Sequence, residues 1–263
     1  MNSRYFLRVL LLLLVGSQYR VSAQQVKDTS RLMNGYIHSY WIDTKELLLF
    51  PKHLQKKDFW YIAGGGALIG SSFIFDETLE NQLRVGNWRK DNPGDVVKYT
   101  LEPWGSGLYP ALLAVGLYAA GALNHRSDLQ YTGMFQVKTL LLSMAASRVP
   151  KFLIQRHRPG EKIDAFEFDG PFGGFSGNYS MPSGHSFISF SWAAATASSF
   201  EGKKGLKFAL YSLATAVSLS RVYKGEHWLS DVTTGAVLGF AFGKLSWRIQ
   251  SLYDKGSFRK IKQ

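Results

Sequence analysis

Apolar and polar stretches alternate along the chain, and their lengths set the first expectations. Tyr61 to Phe75 carries no charge and is rich in Ala, Gly and Ser. Residues 76–103 turn polar, with a turn signalled by Asn92, Pro93 and Gly94. Trp104 to Asn124 is the longest uncharged stretch and is long enough to cross a bilayer. Gln136 to Val149, Phe187 to Phe200, Phe208 to Ser220 and Val232 to Gly243 are further apolar segments of helical character. Between them, residues 159–180 hold seven glycines and prolines among Phe166, Phe168, Phe172 and Phe175, which reads as a long loop. No segment shows sustained strand alternation, and Ala-rich runs favour helix. The pattern predicts an all-α bundle of about six helices. Several of the uncharged runs are only about twelve to fifteen residues, nearer a buried core helix than a span. Their small residues suit close packing in water or in lipid, so a soluble and a membrane-embedded bundle are both compatible with the pattern.

The N-terminus adds an expectation about location. Arg4 and Arg8 precede a leucine-rich run from Val9 to Gly16, and Val21, Ser22 and Ala23 then offer small side chains for cleavage. These are the three parts of a secretory signal, so residues 1–23 are expected to be a signal peptide, with an uncleaved anchor as the alternative. Either reading exports the rest of the chain to the periplasm or the outer face of a membrane. Residues 24–58 are polar and mixed, and are read as an N-terminal extension with a short helix or two. The main domain is expected over 59–246, followed by a basic tail, 247–263. The chain has 263 residues, enough for one domain with a small appendage.

Charge narrows the partners. The formal net charge is +12, which points to nucleic acid, an anionic membrane surface or an anionic substrate. The basic residues are scattered, with no arginine-rich tract and no DNA-binding motif, so nucleic acid is not expected as a partner. A phosphorylated substrate and an anionic lipid surface fit better. The chain has no cysteine, which excludes disulfides and thiolate metal sites.

Three short motifs carry candidate chemistry. Lys151 and Arg158 are seven residues apart, almost two helical turns, which would put both cations on one face of a helix ended by Pro159. Two such cations can hold an anion, although Pro150 interrupts the helix and a solvated basic helix end has the same appearance. In the second motif Pro182 suits a first helical position, and Ser183 and Gly184 would direct a hydroxyl and backbone N–H groups at an anion. His185 follows, where an imidazolium could protonate a leaving oxygen. A plain capped helix start would look alike. In the third, Arg221 precedes a loop, and His227 and Asp231 are four apart, so on a helix they face the same way. A carboxylate there can fix the imidazole tautomer and leave the other ring nitrogen as a nucleophile. A metal site needs more ligands than this pair, and the neighbours are cations.

Taken in order, the motifs resemble the signature of the type 2 phosphatidic acid phosphatase superfamily, K-x6-R-P, P-S-G-H and S-R-x5-H-x3-D, with every fixed position filled, Ser220 included. The superfamily also contains bacterial non-specific acid phosphatases and vanadium haloperoxidases. The resemblance covers about 60–245. It implies His227 as the nucleophile of a phosphohistidine intermediate, Asp231 as its orienting partner, and His185 as general acid and then base. It further implies Lys151, Arg158, Arg221, Ser183 and Gly184 as phosphate-binding groups, with no metal and no cofactor. The implied activity is a phosphatase acting on lipid phosphates or isoprenyl diphosphates, with soluble phosphomonoesters as the alternative. A vanadate-dependent haloperoxidase and a non-catalytic phosphate-ligand binder are the remaining readings. The first is usually much longer, and the second has no need of His227, His185 and Asp231. His38, His53, His125 and His157 fall outside the fixed positions, and Tyr223 and Trp228 read as packing residues.

Overall fold

A computed structural model describes residues 29–54, 56–85, 97–159, 164–171, 179–200 and 202–254. The expected signal peptide and the end of the basic tail lie outside these residues. The described chain is all-α. Its order is α1 (Thr29–Leu48), α2 (Lys56–Phe73), α3 (Asp76–Val85), a one-turn α4 (Glu102–Gly105), α5 (Leu108–Leu123), α6 (Ser127–Ala146), a short α7 (Arg148–Ile154), α8 (Gly184–Ser199), α9 (Lys204–Tyr223) and α10 (Leu229–Asp254). Among the described residues, the β-type pairing is an isolated antiparallel bridge between Arg156 and Phe168.

Several boundaries differ from the sequence expectation, each for a local reason. The run from Trp104 to Asn124 is two elements, because the chain turns at Ser106 and Gly107. Tyr99–Gly105 and Leu108–Leu123 meet at a bend of 72°. No single helix among the described residues is long and apolar enough to cross a membrane, and this bent pair is the one combination that meets the length and composition. The three C-terminal helices are longer than their apolar runs, because polar turns extend them, among them the motif residues at the starts of α8 and α10 and at the end of α9.

The core forms where α5, α8 and α9 converge, around Trp104, Leu113, Trp192, Leu210 and Val217, all at most 5% exposed. α8 lies along α10, and the contact is main chain to main chain. Gly235, Gly239 and Gly243 recur every four residues on one face of α10. A Cβ on them would stand 2.5 Å from the Ser183 carbonyl oxygen, 2.3 Å from that of Phe187 and 2.2 Å from that of Ser191. Hydrogen atoms in place of side chains let the two backbones touch, and the Ser191 hydroxyl donates to the Gly239 carbonyl across the seam at 3.1 Å. The same seam sets the starts of α8 and α10 side by side.

The described residues of the N-terminal extension form a 20-residue helix, longer than expected, and a short 3-10 turn over Phe50–His53. The helix is tied to the bundle by a buried cation. Lys138 of α6 reaches Asp43 at 2.6 Å, Ser39 at 3.1 Å and Gln250 of α10 at 2.7 Å. Burying an ammonium requires partners of this kind.

Candidate active site

The second and third motifs meet at the paired starts of α8 and α10. Ser183 has an extended backbone and precedes the first residue of α8, Gly184. Pro182 therefore stands two residues before the helix and not at its first position; the Ser183 N–H bonds the Asp231 carbonyl at 3.0 Å and delays the helical start. The Ser183 hydroxyl is buried and has no protein partner, at a helix N-terminus whose free N–H groups favour an anion. A Cβ on Gly184 would lie 3.5 Å from the Lys151 side chain, so the two candidate phosphate binders are neighbours.

His185 occupies the first turn of α8 and packs on Gly105, where a Cβ would come 2.4 Å from its ring. Its Nε2 is buried without a protein partner. Burial, then the Arg221 and His227 charges, push its pKa down to about 3.

His227 lies in the loop before α10, and Asp231 in that helix's first turn, so they do not share a helix face as expected. A cap brings them together instead. Asp231 is the third residue of α10, and its Oδ2 accepts the Trp228 N–H at 2.9 Å, the acidic half of a capping box. That fold-back leaves the same oxygen 3.6 Å from His227 Nδ1. Ser180 bridges them. Its hydroxyl donates to Asp231 Oδ2 at 2.5 Å and stands 3.3 Å from His227 Nδ1. With that hydroxyl proton committed to the carboxylate, its oxygen is free to accept Nδ1–H, which leaves Nε2 with the lone pair. Burial drives the His227 pKa down to about 4 against the pull of Asp231, so the ring is neutral at pH 7. Burial also opposes the charge of Asp231, but His227, Arg156 and Ser180 outweigh it and hold the carboxyl below its ordinary range.

The cations come from three elements. Lys151, on α7, donates to the Tyr179 carbonyl at 2.6 Å and faces that of Ser180 at 3.4 Å. Burial, then the Arg158 charge, lowers its pKa to about 8. Arg158 does not continue this helix. α7 ends at Ile154, because Gln155 takes a left-handed φ of 45° and closes back on the Lys151 carbonyl. The two cations therefore come from a helix and from the strand-like segment after it. Arg158 donates to the Glu226 carbonyl at 3.2 Å and carboxylate at 3.3 Å. Arg221, at the end of α9, is 3% exposed and donates to the same carboxylate at 2.5 Å. Its Nε and Nη1 are buried without hydrogen-bond partners.

Sequence reasoning missed three groups behind the histidine. Arg156 is fully buried and is clamped between two carboxylates, Asp231 at 2.7 Å and Asp76 at 2.7 Å. Its guanidinium also donates to the Ala165 carbonyl and the Ser230 hydroxyl, and stacks among Phe73, Phe168 and Trp228. Asp76, at the start of α3, accepts the Ser230 N–H at 2.8 Å and so pins the first turn of α10. Ser180 is the third. The RHRP run was a visible signal for Arg156, but nothing local marks Asp76 or Ser180.

The remaining expectations concern residues outside the fixed motif positions. His157 pairs with Asp169 at 3.1 Å and its carbonyl accepts the Trp228 indole N–H. Trp228 is 2% exposed, a packing residue as read. His38 and His125 are exposed. Much of the aromatic-glycine loop, and the His53 side chain, lie outside the described residues. Among the described residues no three His, Asp or Glu side chains gather as metal ligands.

No curated protein and no solved structure gives a significant match to the chain. Residues 133–254, which carry all three motifs, match the model of the PAP2 superfamily, so this segment of the chain is similar to a family whose activity is of the phosphatase type on phosphate esters.

Proposed function

We propose that the protein hydrolyses phosphate monoesters through a phosphohistidine, without a metal, and that its substrates are lipid phosphates. The observation that carries the mechanism is the neutral, buried His227, whose Nδ1 is held by Ser180 and Asp231. In this reading Nε2 attacks phosphorus, the P–O bond to the leaving group breaks, and the departing alkoxide takes a proton from His185. His185, now neutral, removes a proton from water, whose oxygen attacks phosphorus, releasing phosphate and restoring His227. Arg158, Arg221 and Lys151, with the Ser183 hydroxyl and the Gly184 N–H, offset the charge on the phosphoryl oxygens. A dianionic substrate arriving beside His185 raises its pKa from the low resting value, so binding loads the general acid.

The lipid assignment rests on α7, the helix that carries Lys151. Its Val149, Phe152 and Leu153 are 61%, 43% and 51% exposed, an apolar edge next to a charged site. Together with the leader read in residues 1–23, this supports a reaction at a membrane face outside the cytoplasm.

The test is phosphate release from phosphatidate in mixed micelles and from a soluble aryl phosphate, with EDTA present, for the wild type and His227→Ala. Turnover in EDTA that disappears in the variant is expected. Activity surviving in His227→Ala would overturn the nucleophile assignment, and activity lost to EDTA would overturn metal independence.

A further inference from the structure

Glu226 is not a fixed position of the motifs, yet its carboxylate lies among the cations that a phosphoryl group needs. Its Oε2 accepts from Arg221 at 2.5 Å and from Arg158 at 3.3 Å, and Oε1 is 3.5 Å from Lys224. A carboxylate and a phosphoryl group present similar acceptor oxygens to a guanidinium, so they compete for the same donors. The backbone directs the carboxylate there. The Glu226 N–H bonds the Arg221 carbonyl at 3.1 Å, and Gly225, at φ 70°, closes the turn in a conformation a side chain would strain. Burial penalises the charge on Glu226, but Arg221, Lys224 and Arg158 outweigh it and keep the group ionised below the ordinary carboxylate range. The side chain is one-third exposed, so it has a path into solvent. Behind it, Arg221 Nε and Nη1 and the Ser183 hydroxyl have no hydrogen-bond partners. The resting site is thus only partly filled by its own carboxylate, and unused donors remain for a larger anion.

We propose that Glu226 is an affinity-determining residue whose carboxylate occupies the phosphoryl position at rest and competes with substrate and product for Arg158 and Arg221. Each binding event exchanges one anion for another. A cage of three cations would otherwise retain inorganic phosphate after turnover, and the returning carboxylate expels it. This rests on the phosphate-binding reading of the site given above.

The experiment is calorimetric titration of the full chain with inorganic phosphate, which needs no turnover, for the wild type, Glu226→Gln, Glu226→Asp and Glu102→Gln. Glu226→Gln is isosteric and removes the competing charge, so phosphate should bind about tenfold more tightly. Glu226→Asp shortens the reach to Arg158 and should fall between, which also covers misfolding of the first variant. Glu102 touches Lys224 at 3.2 Å but Arg221 at only 3.8 Å, so Glu102→Gln should change affinity by less than about threefold. Unchanged or weaker binding in Glu226→Gln, with the wild type binding phosphate, would overturn the role of Glu226 and leave the phosphate site standing. An equal gain in Glu102→Gln would show a diffuse charge effect and overturn it as well. No phosphate binding by any of the four proteins would overturn the phosphate site itself, and the inference with it.

Discussion

The imidazole of His227 is held neutral by its surroundings, and this has a consequence for stability. Its pKa is pushed from 6.5 to about 4, and that of His185 from 6.5 to about 3. An unfolded chain takes up these protons near pH 6.5, while the folded site resists them until far lower. The unfolded state therefore binds more protons across that window, and stability falls as pH drops from about 6.5 towards 4. Each histidine contributes on the order of a few kcal/mol to the loss. Thermal melts at pH 8, 6.5, 5 and 4 should show a melting temperature that is steady down to about 6.5 and then declines, with a smaller decline in His185→Asn. A flat profile would mean that the rings are hydrated in the folded protein. At this same scale the sequence was only partly legible. His227, Asp231, His185 and the cations carry their chemistry in their side chains and motif spacing. Arg156 looks in sequence like one more charge in a basic run, and its buried clamp between Asp76 and Asp231 depends on a partner 80 residues away.

Among the elements, the seam between α8 and α10 governs how well the site is aligned. The Ser183 and His185 groups ride on one helix start, and His227 and Asp231 on the other. Gly239 holds the two backbones in contact. Gly239→Ala would place a Cβ 2.3 Å from the Phe187 carbonyl oxygen, so the helices must part. A loss of about 1–3 kcal/mol is expected in denaturant melts, with a fall in kcat on any turned-over ester, since misplacement of about 1 Å is costly to catalysis. Gly66→Ala on α2 is the control. A Cβ there meets nothing within 4 Å, so stability should hold or rise slightly. The helical class was legible from Ala-rich runs without alternation. The end of α7 was not, because seven-residue spacing suits a continuous helix and the left-handed Gln155 that stops it has no glycine to announce it.

At the scale of the whole molecule, large apolar side chains are exposed among the described residues of α2 and α7. On α2, Phe59, Trp60, Tyr61 and Ile62 are 64%, 75%, 76% and 53% exposed, and α7 adds its edge beside the site. Exposed apolar side chains of this kind are compatible with the proposed contact with lipid. Replacing Val149 and Leu153 together by Ser should raise KM for phosphatidate in micelles by about tenfold, given the transfer energy of two half-buried side chains. Turnover of a soluble aryl phosphate should not change, and equal losses on both substrates would remove the lipid assignment. Alternation of apolar and polar runs made these helices legible, but not which faces the fold would leave uncovered. Asp76 has a different kind of consequence. It lies outside residues 133–254, yet it accepts from Arg156 and Ser230 in the interior of the site. The matched segment is therefore not a portable cassette. A chimera that exchanges it between homologues without the start of α3 would bring in an arginine with one of its two carboxylates missing, so recombination has to carry both pieces together.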